Sequence, residues 1–181
     1  MDEKRRRFEA LALPHLDAAT NLARWLARSS ADADDIVQEA MLRAFRGFDT
    51  FRGSDAKPWL LAIVRNCFLS AASRTRRNAH MPLPDDDGSP QDAALVSGVP
   101  NPEQATIGAD QSRKLDRVIA ALPLEFREVL ILRELEDLSY RDISIVTGAP
   151  LGTVMSRLSR ARALAKEKWL TDVEGVRHGM Q

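Results

Sequence analysis

Near the end of the chain, Thr153, Ser156, Arg157 and Arg160 carry hydroxyl and guanidinium groups spaced to share one side of a helix, with Arg157 nearer its edge. Such groups, projected from a helix start, can reach base edges and phosphates in a major groove. The other side of the same helix holds Leu151, Val154, Leu158, Ala161 and Ala165, a stripe that must face a core. Residues 150–169 hold five basic side chains and one acidic one, Glu167. Arg162 falls on or near the apolar side, so it is expected to brace the fold or reach a phosphate rather than read a base. A solvated basic face is the bland alternative. The preceding residues favour duplex DNA over it: a short helical stretch at 140–147 behind Ser139, then Gly148 to turn the chain, then Pro150 to restart it. Glycine supplies the left-handed backbone that ends a helix. A turn this short sets two helices at a steep angle, as in helix-turn-helix DNA binders. A helix-turn-helix is therefore expected over residues 138–169.

A second constellation lies earlier. Trp59, Asn66, Ser70, Ser73 and Arg77 line one flank of a predicted helix, with Arg65 and Arg76 beside them. An aromatic ring with amide, hydroxyl and guanidinium groups can stack on unpaired bases and hold a backbone. Trp59 fits a core position equally well. The loop 48–57 precedes this flank and contains Phe48, Arg52, Gly53 and Ser54, a composition suited to wrapping a base. A third group, Asp35, Glu39, Leu42, Arg43 and Arg46 with Gln38 at its flank, faces outward from another helix. A leucine among charges is compatible with a protein contact. By pattern alone, a solvated face with Asp35 favouring the helix start is the plainer reading.

Other chemistry is missing. There is no phosphate-cradling glycine loop, no paired-carboxylate site and no nucleophile with a base, so no enzymatic activity is expected. Three histidines and the single Cys67 give no recognisable metal site, and neither a metal nor a cofactor is expected. Cys67 sits among apolar residues and reads as a small buried hydrophobe. One cysteine fits a reducing compartment. Lys4, Arg5, Arg6 and Arg7 are followed by no long apolar run, so neither a signal peptide nor a membrane anchor is expected, and a cytoplasmic location is.

The elements that must position these groups are helices. Hydrophobic residues make up 44% of the 181, and alternating β-branched runs are absent. Leu16, Ala19, Ala23 and Leu26 mark one helix, with Pro14 near its start. A second is expected from Asp32 as N-cap, with the stripe Val37, Ala40, Met41, Ala44, Phe45 and Phe48. A third runs from about Pro58 to Arg77, with the stripe Leu60, Ile63, Val64, Cys67, Phe68 and Ala71. Four shorter stretches follow at about 111–121, 124–134, 140–147 and 151–169. Between the two sets lie five of the nine prolines and an acidic run, Asp85, Asp86 and Asp87. Net charge is zero, but residues 82–112 carry six acidic and no basic side chains. The expected fold is all-α: a domain at 1–81, a flexible acidic linker at 82–110, and a helix-turn-helix domain at 111–172.

Residues 138–143 (LSYRDI) followed by 150–162 (PLGTVMSRLSRAR) resemble the promoter-reading C-terminal domain of bacterial extracytoplasmic-function (ECF) sigma factors. Residues 32–39 (DADDIVQE) continuing to 42–45 (LRAF), and 59–66 (WLLAIVRN), resemble their N-terminal domain. The two motif sets occur in the family's order and cover nearly the whole chain apart from the linker and the tails. The resemblance implies a protein that binds core RNA polymerase and directs it to promoter DNA, usually under an anti-sigma factor and without membrane insertion. It implies core binding by Asp35, Gln38, Glu39, Leu42 and Arg43. It implies reading of the −10 strand by Phe48, Arg52, Trp59, Arg65, Asn66 and Arg77, with the loop at 48–57 capturing a flipped base. It implies reading of the −35 duplex by Thr153, Ser156, Arg157 and Arg160. Ser144 departs from the family, which most often has alanine there, and the linker is longer and more acidic than many. Its six carboxylates could mimic a nucleic-acid strand in a polymerase channel or serve as a solubilising tether. Two alternatives stand beside this reading: a helix-turn-helix regulator acting at an operator without joining polymerase, and a sigma mimic that titrates an anti-sigma factor.

Overall fold

The computed structural model describes residues 2–27, 29–79 and 107–178, with side chains described for 3–27, 29–77 and 111–171. The described residues form helices and turns, with no strand among them, as the missing alternation implied. Contacts divide the chain into two compact units, one covering residues up to 94 and the other most of 95–181. The expected acidic linker lies outside the described residues through residue 106. No helix among the described residues is long and apolar enough to cross a membrane.

The first unit contains α1 (Asp2–Leu11), α2 (Leu16–Leu26), α3 (Ser30–Gly47) and α4 (Ala56–Ala79), with 3-10 turns at Leu13–His15 and Phe48–Thr50. Helices α2, α3 and α4 pack on one another in all three pairs. Their meeting faces are rich in alanine: Ala19 and Ala23 on α2, and Ala33, Ala40 and Ala44 on α3, are fully buried. Small side chains let helix axes approach closely, and Leu22, Leu60, Leu61 and Val64 fill the space between them. The α3 row is therefore Ala33, Ile36, Ala40 and Ala44; of the expected stripe, Val37 and Met41 sit at its margin and Phe45 is 36% exposed. The α3 cap is Ser29 rather than Asp32. The Ser29 hydroxyl accepts from the Asp32 amide at 3.1 Å and donates to the Asp32 carboxylate at 2.7 Å, so serine and aspartate cap as a pair. Pro58 falls in the first turn of α4, where the Asp55 carboxylate accepts from the Lys57 amide at 2.9 Å.

Helix α1 is absent from the sequence expectation because its ten residues are mostly charged and offer too few apolar positions to show a period. Phe8 anchors it and is buried.

The second unit contains α5 (Ile107–Ala120), α6 (Leu124–Glu134), α7 (Tyr140–Thr147) and α8 (Leu151–His178). Helix α5 opens four residues before the expected start, and α8 continues past Trp169. The core gathers Val118, Leu122, Val129, Ile131, Leu132, Ile143, Val154, Leu158 and Ala161. The Arg127 guanidinium is half-buried at the α5–α6 turn and donates to the Ala120 and Leu122 carbonyls, which the helix end leaves without intrahelical partners. Lys114 lies over the Trp169 ring at 4.4 Å, tying α5 to α8.

Candidate functional site

The turn between α7 and α8 is built by local chemistry. The Ser139 hydroxyl caps α7, accepting from the Asp142 amide at 3.1 Å and donating to its carboxylate at 2.5 Å. Gly148 ends α7 in the left-handed region at φ 68°, its amide bonded to the Ser144 carbonyl at 2.9 Å. A side chain here meets no steric neighbour, so the need for glycine is one of backbone conformation. Ser144 does more than fit: its hydroxyl donates to the Ala149 carbonyl at 2.6 Å, closing the turn from α7 to the residue before Pro150. Alanine at that position could not make this bond.

On α8, Val154, Leu158 and Ala161 are buried, as the stripe required, but its two ends are not: Leu151 is 49% exposed and Ala165 half-buried. The exposed face carries Gly152, Met155, Ser156, Ser159 and Arg160, related by three and four residues and so on one side. Of the four expected reading residues, Ser156 and Arg160 lie on this face. Thr153 is half-buried at its border. Arg157 is turned toward the core side, 26% exposed, with Nη2 at 3.4 Å from the Glu125 carboxylate of α6. Met155, 52% exposed, and Ser159 were not singled out from the sequence. Their wheel positions could have identified them, but methionine reads as core by residue type. Arg162 braces the unit: Nε and Nη2 donate to the Glu134 carboxylate at 3.0 and 2.7 Å. Those bonds, with one to Tyr140, hold its pKa above the ordinary value.

In the first unit, Arg43 of α3 and Asn66, Leu69, Ser70, Ser73, Arg74 and Arg77 of α4 line an open groove of 570 Å³. Three guanidiniums beside amide and hydroxyl groups make it suited to an anionic backbone. The expected flank is thus largely brought together, except that Trp59 belongs elsewhere. Cys67 is buried among α3 and α4, and burial pushes its thiol up against the opposing pull of Arg43. That supports its reading as a small hydrophobe.

Trp59 joins an aromatic cluster with Phe51 at 4.9 Å and Phe48 at 6.0 Å between ring centroids, and remains half-exposed. Phe48, expected at the −10 strand, is corrected: at 2% exposure it is core, stacked on Phe51 and edge-on to Phe8, and offers no ring face to a base. Arg52 is exposed but folds back, donating to the Asp49 and Phe51 carbonyls and shaping the loop. Arg65 is half-buried and Asn66 exposed on α4.

The outward side of α3 presents Asp35, Gln38, Leu42 and Arg43, with Glu39 at its border. Arg43 Nε bonds Glu39 at 2.6 Å, and Leu42 is 47% exposed beside this pair. Because Arg43 also lines the groove, this side and the α4 flank meet at one residue. Among the described residues, no group of three or more His, Cys, Asp or Glu is arranged to hold a metal ion.

Two family models match the chain: Sigma-70 region 2 over residues 11–78 and Sigma-70, region 4 over residues 112–164. The chain is 36% identical over 160 residues to the ECF RNA polymerase sigma factor SigE of Mycolicibacterium smegmatis, covering 86% of this chain and 58% of that protein. It thus spans less than two thirds of the SigE length. It is 34% identical over 166 residues to the RNA polymerase sigma-H factor of Pseudomonas aeruginosa, covering 87% and 83%. The sigma factor RpoE of Bartonella quintana, solved in complex with the anti-sigma factor NepR, is similar in structure with a TM-score of 0.75 and 27% identity, covering 95% of this chain and 99% of that one.

Proposed function

The chain belongs to the ECF sigma factors, and on that premise we propose how its surfaces divide the work of starting transcription. It binds core RNA polymerase, directs it to promoter DNA and acts through binding energy, leaving bond-making to the polymerase. The observation that carries this is the exposed α8 face, set behind a glycine-ended α7 and held in the same chain as a basic groove of different chemistry.

The α8 face takes the −35 duplex. Ser156 and Arg160 reach base edges, with Met155 and Ser159 beside them. Arg160 can donate two bonds to a guanine, and Met155 can lie against a thymine methyl. Thr153 and Arg157, both half-buried, reach phosphates at the edges. The groove and the neighbouring loop take the −10 strand. Asn66 and Arg77 hold its backbone, Arg65 assists, and Trp59 with Arg52 bounds the space for an extruded base, with Phe48 behind them. Asp35, Gln38, Glu39, Leu42 and Arg43 meet core polymerase, with Arg43 where the two surfaces join. The working boundaries are the expected 1–81, 82–110 and 111–172 with one shift, the last segment opening with α5 at Ile107. The chain acts in the cytoplasm, where promoter and polymerase are. The NepR complex of the Bartonella relative supports an anti-sigma partner for this chain as well.

Purified protein, sigma-free core polymerase and a promoter library test the reading together: run-off transcripts are sequenced and should share −35 and −10 elements. Operator-like duplex binding with no transcripts above core alone would overturn it in favour of a regulator that never joins polymerase.

A further inference from the structure

We propose that α1 and the turn after it are a positioning element for the loop 48–55, with Phe8 and Lys4 as the residues that set the loop's shape. This rests on the reading of that loop as the base-binding element.

The loop is held from the N-terminal side at its start and approached from that side at its end. At its start, Lys4 Nζ lies 2.5 Å from the Asp49 carboxylate and 3.3 Å from the Arg46 carbonyl, and sits over the Phe45 ring at 5.2 Å. At its end, His15 Nε2 lies 3.9 Å from Asp55, the same carboxylate that caps α4. Between these ties runs a chain of rings. Phe8 meets Phe45 and Phe48 edge-on, each at 5.3 Å, and Phe48 stacks on Phe51 at 5.8 Å. Phe51 in turn rests against Trp59.

Gly53 completes the arrangement. A Cβ there would lie 3.0 Å from two atoms at the outer edge of the Phe51 ring, so the backbone of the loop tip passes close against that ring. Displacing Phe8 unseats Phe48, and Phe48 is what holds Phe51 under the tip. Close-packed rings transmit such a shift because no void absorbs it. The Phe8 ring itself is buried and touches no outer surface, so it acts through the loop and not on DNA.

The test uses holoenzyme reconstituted from full-length chain and core polymerase. The probe is a fluorescent single-stranded −10 oligonucleotide taken from a selected promoter, compared with versions made abasic at each position in turn. Wild type should prefer the intact strand to the abasic strand by about tenfold at the captured position, the scale of one stacked base. Phe8→Ala should bring that ratio close to unity while binding of the abasic strand is unchanged. Lys4→Ala, which removes the Asp49 pair and the cation over Phe45 but takes no ring out of the cluster, should lower the ratio part-way. Arg5→Ala, which removes only an outward pair with Glu9, should leave it alone.

Hydrogen exchange of the free protein at the Phe51 amide, bonded to the Phe48 carbonyl at 3.0 Å, should quicken in Phe8→Ala and Lys4→Ala. Unchanged Phe51 exchange in both variants overturns the proposal, as does a wild-type ratio in both. Quickened exchange together with a wild-type protein indifferent to the abasic change would instead retain the positioning role and remove the base-binding reading of the loop.

Discussion

The two units shape the turn or loop beside their exposed polar groups by opposite means. In the second unit the turn ahead of the α8 face is set by contacts close in sequence: a serine cap three residues from its partner, a left-handed glycine, and a Ser144 hydroxyl bonded five residues on, while α8 itself is seated by packing on α6 and by the Arg162–Glu134 pair. In the first unit the loop is set by side chains far apart in sequence, with Phe8 of α1 against Phe48 and Lys4 against Asp49. A locally encoded surface depends on few groups and varies face by face. A surface assembled at long range carries its shape in the core, so core and function cannot be altered separately.

The largest test of this contrast is Phe48→Ala. Removing a fully buried aromatic leaves a cavity and should destabilise the first unit by about 3–5 kcal/mol. Hydrogen exchange should quicken across α2–α4 while α6–α8 keep wild-type protection. Equal loss in both units would break the contrast. Gly148→Ala should cost the second unit about 1–2 kcal/mol through left-handed backbone strain, since no neighbour obstructs a Cβ. Denaturant titration followed by exchange in α7 measures it, and an effect near zero would show that the turn relaxes freely. Ser144→Ala should cost about 1 kcal/mol, the worth of one hydrogen bond, with −35 binding weakened no more than in proportion. The smallest effect concerns Cys67, whose burial keeps it a thiol. A maleimide should label it slowly in the native protein and quickly in denaturant; rapid native labelling would mean that the first unit opens far more readily than its packing implies.

The same contrast explains what could be read from the sequence. The bounds of α7, its Ser139 cap and its Gly148 stop were all legible because each depends on neighbours within a few residues. The middle of the α8 stripe, Val154, Leu158 and Ala161, was legible because it repeats with the helical period, whereas the period does not show that Leu151 at the helix start lies beyond the core. Arg162 was legible as a brace because its wheel position put it beside apolar residues, although its partner Glu134 lies 28 positions away and has no local signal. Helix α1 was illegible since Phe8 is the one buried side chain among its described residues and stands among charges. Phe48 stood both in the apolar stripe of α3 and among the expected −10 contacts; the stripe gave its burial, and Phe8, Phe51 and Trp59 close round it as core. The pairing of Arg157 with Glu125 of α6 had no local signal either, since the two lie on different helices far apart in the chain.

The central claim is that the α8 face reads the −35 element while the first unit reads the −10 strand. The most direct measurement is run-off transcription by wild-type and Arg160→Ala holoenzymes on a selected promoter and on the same promoter with its −35 element scrambled. A contact to one base is worth roughly 1–3 kcal/mol. The account predicts that wild type loses activity on scrambling, that Arg160→Ala starts near the scrambled level and loses little more, and that both remain equally sensitive to −10 changes. If Arg160→Ala loses as much on −35 scrambling as wild type does, Arg160 does not read that element and the division of labour is wrong.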